Sequence, residues 1–161
     1  DLGVTFDQKM IFRKHIQNVV NSAFKMLGFI IRVCKGFSNL KALKCLYFAL
    51  VRSKLEYCSL IFYPFYAYQS LILEGVQRRF LKFLYYKSHS EYPVRNYGQN
   101  ELLHEFNVDF LRKRRIIQSI VYLYKLLHGK IDNMETLNLM KFHVPRIGTR
   151  QIRFCQLPRC R

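Results

Sequence analysis

The side chains that could do chemistry fall into two groups, scattered candidates for metal binding or acid–base work and a concentrated set of cations. His15, His89, His104, His128 and His143 have no neighbouring histidine or acid at metal-ligand spacing. Cys155-x4-Cys160 supplies two thiolates, half of a tetrahedral zinc site. Glu101 and Glu105 share a helix face at i, i+4 as an ordinary solvated pair, and there is no Asp-Asp, Asp-x-Asp or Asp-x-Glu pair. Metal-assisted nucleotidyl transfer needs at least two carboxylates converging on the ion. A Gly-rich phosphate loop is also missing. By itself this chain is expected to be non-catalytic and to hold no cofactor.

The cations are organised differently. Arg78, Arg79 and Lys82 lie on one side of a helical pattern, with Arg52 and Lys54 one segment earlier. Arg112, Lys113, Arg114 and Arg115 are consecutive at a predicted helix start. That end of a helix already carries partial positive charge, so a nearby anion is implied. No acid follows Glu135, while Lys141, Arg146, Arg150, Arg153, Arg159 and Arg161 do. Cations interleaved with Tyr and Phe track a phosphate backbone and pack rings against sugars or bases. The expected nucleic-acid contacts are Arg52, Lys54, Arg78, Arg79, Lys82, Arg112, Lys113, Arg114, Arg115, Arg146 and Arg150. The plainer alternative makes these cations a solvated face, and Phe80, Phe83 and Tyr124 are assigned to the core.

Composition agrees with this emphasis. In 161 residues there are 27 Lys and Arg against 10 Asp and Glu, a formal charge of +17. Nucleic acid is the commonest acidic partner at such charge, and an anionic membrane surface is second. Half of the residues are apolar, which excludes wholesale disorder. The longest uncharged stretch, Tyr57 to Leu73, is 17 residues broken by Pro64, short of the ~20 a bilayer span needs. Asp1 to Asp7 lacks the basic start and apolar run of a secretory leader. Cys34, Cys45 and Cys58 sit in helical apolar runs, where reduced cysteine acts as a small hydrophobe. A reducing intracellular setting, nuclear or cytoplasmic and not secreted, is expected.

The elements that must position the cations are helices. Apolar steps of three and four predict helices over about 12–35, 39–57, 68–86, 100–106, 109–128 and 132–139. Ser38 or Asn39 is placed to cap the second, and Asp109 the fifth. In the fifth, Leu111, Ile116, Ile117, Ile120, Val121, Tyr124 and Leu127 form the predicted buried side. Leu2 to Phe6 reads as a short strand with no partner in the chain. That lone strand, together with a start at Asp1, implies a piece of a longer polypeptide. Pro145, Gly148 and Pro158 make the end an extended basic tail.

Several runs in collinear order resemble the reverse transcriptase region of jockey-like non-LTR retrotransposons of insects. They begin with Asp1-Leu2-Gly3-Val4-Thr5-Phe6-Asp7, Phe12-x-x-His15-Ile16 and Met26-Leu27-Gly28-Phe29-Ile30. Leu50-Val51-Arg52-Ser53-Lys54-Leu55-Glu56-Tyr57-Cys58-Ser59 and Val76-Gln77-Arg78-Arg79-Phe80-Leu81 follow. Arg114-Arg115, Leu123-Tyr124-Lys125-Leu126 and Val144-Pro145-Arg146 complete the likeness, which covers essentially the whole chain. The family often has Trp where Phe62 stands.

The resemblance implies an all-α, thumb-type bundle of about five helices. Residues 1–7 would be the end of the palm, with Leu2 and Gly3 at the primer grip. Residues 8–90 would be the helical thumb, 91–140 a helical extension and 141–161 the basic tail. RNA template, DNA primer or target, and the palm and fingers of the parent chain would be its partners. Magnesium would be held by palm carboxylates that this chain does not contain. The rival readings are a protein-interaction module, a membrane-surface module and an inactive remnant of such an element.

Overall fold

The computed structural model of the chain describes residues 3–64, 66–94 and 97–140. Among them the regular structure is entirely helical. Helices α1 (Arg13–Val33) and α2 (Leu40–Tyr47) are followed by a π-helical turn (Phe48–Arg52) and α3 (Ser53–Glu56). Then come α4 (Ala67–His89), α5 (Gln99–Glu105), α6 (Leu111–Leu127) and α7 (Met134–Leu139). The described residues divide into two compact units within α6, one through Gln118 and one from Ser119.

The predicted N-terminal strand is corrected by the structure: Gly3 to Asp7 is irregular, and Leu2 lies outside the described residues. A strand needs a neighbour to take its backbone groups, and none of the described residues supplies one. Local bonds take over instead. Thr5 N–H donates to His15 Nδ1 at 3.3 Å, and Asp7 Oδ1 accepts from Ile11 N–H at 2.7 Å.

In the first unit α1 packs along α4, with α2, the π turn and α3 against both. The α1 stripe buries Ile16, Val20, Ala23, Leu27 and Ile30, as its period dictates. Asn39 is the cap of α2, its Oδ1 accepting from Lys41 N–H (3.0 Å) and Ala42 N–H (3.2 Å). Beyond it Leu43, Tyr47, Val51 and Leu55 are fully buried at intervals of four. Four residues of α-helix over-rotate by about 40°, so such a row drifts off its face unless one turn is wider. The π turn at Phe48–Arg52 supplies that turn. Its consequence is that Leu46 and Leu50, predicted inward, are each 37% exposed.

The centre of this unit holds a polar chain among apolar walls. Tyr47 stacks on Phe80 with centroids 4.0 Å apart and planes 6° from parallel. Its hydroxyl donates to Gln77 Oε1 (3.2 Å), while Gln77 Nε2 donates to the Asp109 carbonyl (2.9 Å), linking α2, α4 and the approach to α6. Tyr47→Phe would leave the buried Gln77 oxygen without its donor. It is expected to destabilise the fold by about 1–2 kcal/mol in denaturant titration, with stacking retained.

The second unit contains the C-terminal part of α6 and α7. Asn133 Nδ2 donates to Tyr122 Oη at 3.4 Å, and Asn133 Oδ1 caps α7 through Thr136 N–H at 3.0 Å. The predicted buried side of α6 is also corrected. Leu111 is fully buried, but Ile116, Ile117, Ile120, Val121, Tyr124 and Leu127 are 43–60% exposed. Periodicity identifies an apolar face; it does not say that anything covers it.

Candidate nucleic-acid interface

The cations gathered by sequence separate into three environments. The first is structural. Glu56, at the end of α3, receives Arg114 Nε and, at 3.1 Å, Arg114 Nη2, while Arg52 Nε stands 3.8 Å away. This two-pronged carboxylate contact raises the Arg114 pKa. Arg52 also lies over the Phe48 ring at 3.7 Å.

Arg115 is only 2% exposed, the largest fully buried side chain described, with Nη2 donating to Ser70 Oγ at 3.1 Å. Burial lowers its pKa, with Glu74 acting in the opposite direction. Lys113 Nζ meets Asp109 Oδ1 at 2.6 Å. Asp109, the predicted cap of α6, is thus engaged with a lysine. The acceptor at the start of α6 is instead Glu74 of α4, whose Oε1 takes Arg112 N–H at 2.7 Å. The anion implied by four cations in a helix's first turn is therefore internal, supplied by Glu56, Glu74 and Asp109. Only the Arg112 and Lys113 side chains of that cluster are exposed.

The second environment is the outer face of α4. Arg78, Arg79 and Lys82 are all exposed. Arg79 lies 5.8 Å from the centroid of Phe24 on α1. None of the three joins a carboxylate among the described residues. α1 has no acid and also exposes Lys14, Lys25 and Arg32, while the single acid of α4, Glu74, faces inward at 7% exposure. The two long helices therefore present an acid-free cationic surface. The other acids are occupied locally: Glu101 takes Gly98 N–H at 3.1 Å and Glu105 takes Tyr97 Oη at 3.2 Å.

The third environment is a cavity beside α1 and α3, where Lys54 Nζ approaches Ser22 Oγ at 3.4 Å. His15 also lines it, 5% exposed and edge-on to Phe62 with centroids 4.6 Å apart. Burial depresses the His15 pKa. A histidine whose folded pKa lies below its unfolded value, about 6.5, stabilises the fold only above that value. Stability is then lost as pH falls through the folded pKa. His15→Gln is expected to flatten the dependence of urea stability on pH on the acid side of 6.5.

Gly3 is exposed with φ +77°, but its predicted primer-grip partner Leu2 lies outside the described residues, as do Arg146, Arg150 and the Cys155/Cys160 pair. Among the described residues no three His, Cys, Asp or Glu side chains gather as a metal site. Nothing described therefore fits the magnesium of the resembling polymerases. No described helix is long and apolar enough to cross a membrane. No protein-family model matches the chain, and no curated protein or solved structure is significantly similar to it.

The residues that sequence reasoning missed are the acids. Glu74 carried a readable signal, since Ser70, Leu73, Glu74, Gln77, Phe80, Leu81 and Leu84 repeat at the spacing of one buried helix face.

Proposed function

We propose that this chain is the thumb and following region of a retrotransposon-type RNA-directed DNA polymerase. In this reading α4 and α1 grip the template–primer duplex through its phosphates, and polymerisation belongs to the palm of the parent polypeptide. The observation that carries the reading is the acid-free cationic face: Arg78, Arg79 and Lys82 stand exposed beside a helix without any carboxylate. Such a face attracts phosphate oxygens without reading sequence, which suits a clamp on a translocating duplex. The test is a fluorescence-anisotropy titration of RNA/DNA duplexes of unrelated sequence. Equal affinities that fall steeply with salt are expected; sequence-selective or salt-insensitive binding would overturn the reading.

One observation favours a second reading, a module that docks a partner protein. The exposed apolar residues of α6 include Ile120 at 60% and Tyr124 at 50%. That reading expects an Ile120→Asp variant to lose its partner while duplex binding persists.

A further inference from the structure

The cavity beside α1 and α3 is chemically one-sided. It is about 490 Å³, within the roughly 300–1,000 Å³ range of ligand sites, and His15, Asn18, Ser22, Ser53, Lys54 and Tyr57 line it. No carboxylate is among its lining residues. Lys54 holds only one long contact, to Ser22 Oγ at 3.4 Å, so its ammonium retains donors for an acceptor. The neighbouring Arg52 is turned away onto Glu56 and Phe48. His15 adds an independent sign of a ligand. Its Nδ1 accepts from Thr5 N–H, so its proton is on Nε2, and that buried atom has no hydrogen-bond partner among the described residues. A buried donor left without an acceptor is unfavourable and is retained where something else completes the site.

We propose that this cavity is a phosphodiester subsite, in which Lys54, Ser22, Asn18 and His15 hold one backbone phosphate of a bound nucleic-acid strand. The charge matches: one ammonium against the single negative charge of a phosphodiester, with neutral donors completing its oxygens. The Tyr57 ring, 54% exposed at the cavity, offers a face to the adjoining sugar or base. This assignment rests on the duplex-grip reading but is spatially specific where that reading is not, because Lys54 is set apart from the α4 row.

The test uses the full 161-residue chain in two arms. In the first, inorganic phosphate is titrated while amide NMR shifts are followed, with Lys54→Gln and Ser22→Asp as variants. Shifts are expected at Ser22, Asn18 and Lys54 in the wild type and are lost in both variants. The second arm measures duplex binding. Lys54→Gln is expected to weaken it about tenfold and to lower the salt slope by about one, and Ser22→Asp to weaken it further. Thermal melts confirm that both variants fold; Lys54→Gln alone suffices if Ser22→Asp does not. No phosphate shifts at the cavity, or wild-type duplex affinity in Lys54→Gln, would overturn the proposal. Phosphate binding with an unchanged duplex affinity would assign the cavity to a free anion and overturn the phosphodiester assignment. If the wild type binds no duplex, the preceding reading fails, and phosphate shifts at the cavity would again mean a free-anion site.

Discussion

Glu74→Ala is expected to lower the stability of the chain by about 3–4 kcal/mol, the largest loss of any single substitution considered. The carboxylate lies inside the protein at 7% exposure and serves two groups. Its Oε1 accepts the Arg112 N–H at 2.7 Å, satisfying one of the orphan donors at the start of α6. Its charge also acts on Arg115, itself only 2% exposed. Alanine removes the acceptor and leaves a buried guanidinium without that counter-charge, which is the expensive way to break an internal pair. Glu74→Gln keeps an oxygen for the Arg112 N–H and is expected to retain most of the stability.

The pH dependence of this site has the opposite sign to that of His15. Burial is the main cause raising the Glu74 pKa, against the pull of the Arg112 and Leu111 N–H groups and Arg115. A carboxyl whose folded pKa exceeds its unfolded value of about 4.3 contributes stability that is full below that value. The contribution is lost as pH rises through the folded pKa. Urea titrations of wild type and Glu74→Gln across this window check the sign: only the wild type should show this component.

The second large effect is on binding. Reversing both charges in Arg78→Glu/Arg79→Glu is expected to weaken duplex binding by about 100-fold or more near 0.1 M salt. Both side chains are exposed, and neither is joined to an acid among the described residues. The fold should survive. The contact at risk is the approach of Arg79 to Phe24 at 5.8 Å, worth about 0.5–1 kcal/mol at an exposed site. Replacing Arg114 and Arg115 should behave in reverse, damaging the fold first. These two arginines answer Glu56, Ser70 and Glu74, and so belong to the interior's own charge balance.

The helices were legible because α1 and α4 each bury one stripe at regular spacing, and because Asn39 is a cap that sequence alone names. The route from α2 to α3 was less so. Its four-residue rhythm, Leu43-Tyr47-Val51-Leu55, needs a π turn, and that appears only when the row must stay on one face. The exposed side of α6 was misread because an amphipathic pattern looks the same whether its face is covered or bare. At the interface the row on α4 emerged as expected, whereas the Arg112 to Arg115 cluster did not. Charge runs in sequence carry no record of acids more than 35 positions away, such as Glu56 and Glu74, that fold against them.

The central claim is that an acid-free face on α1 and α4 binds nucleic-acid backbone. It is tested most directly by the slope of log K against log salt for one RNA/DNA duplex, measured for the wild type and for Arg78→Glu/Arg79→Glu. A steep negative slope for the wild type, shallower by about two in the variant, is the predicted result. Identical slopes in the two proteins, or no duplex binding by the wild type, would contradict it.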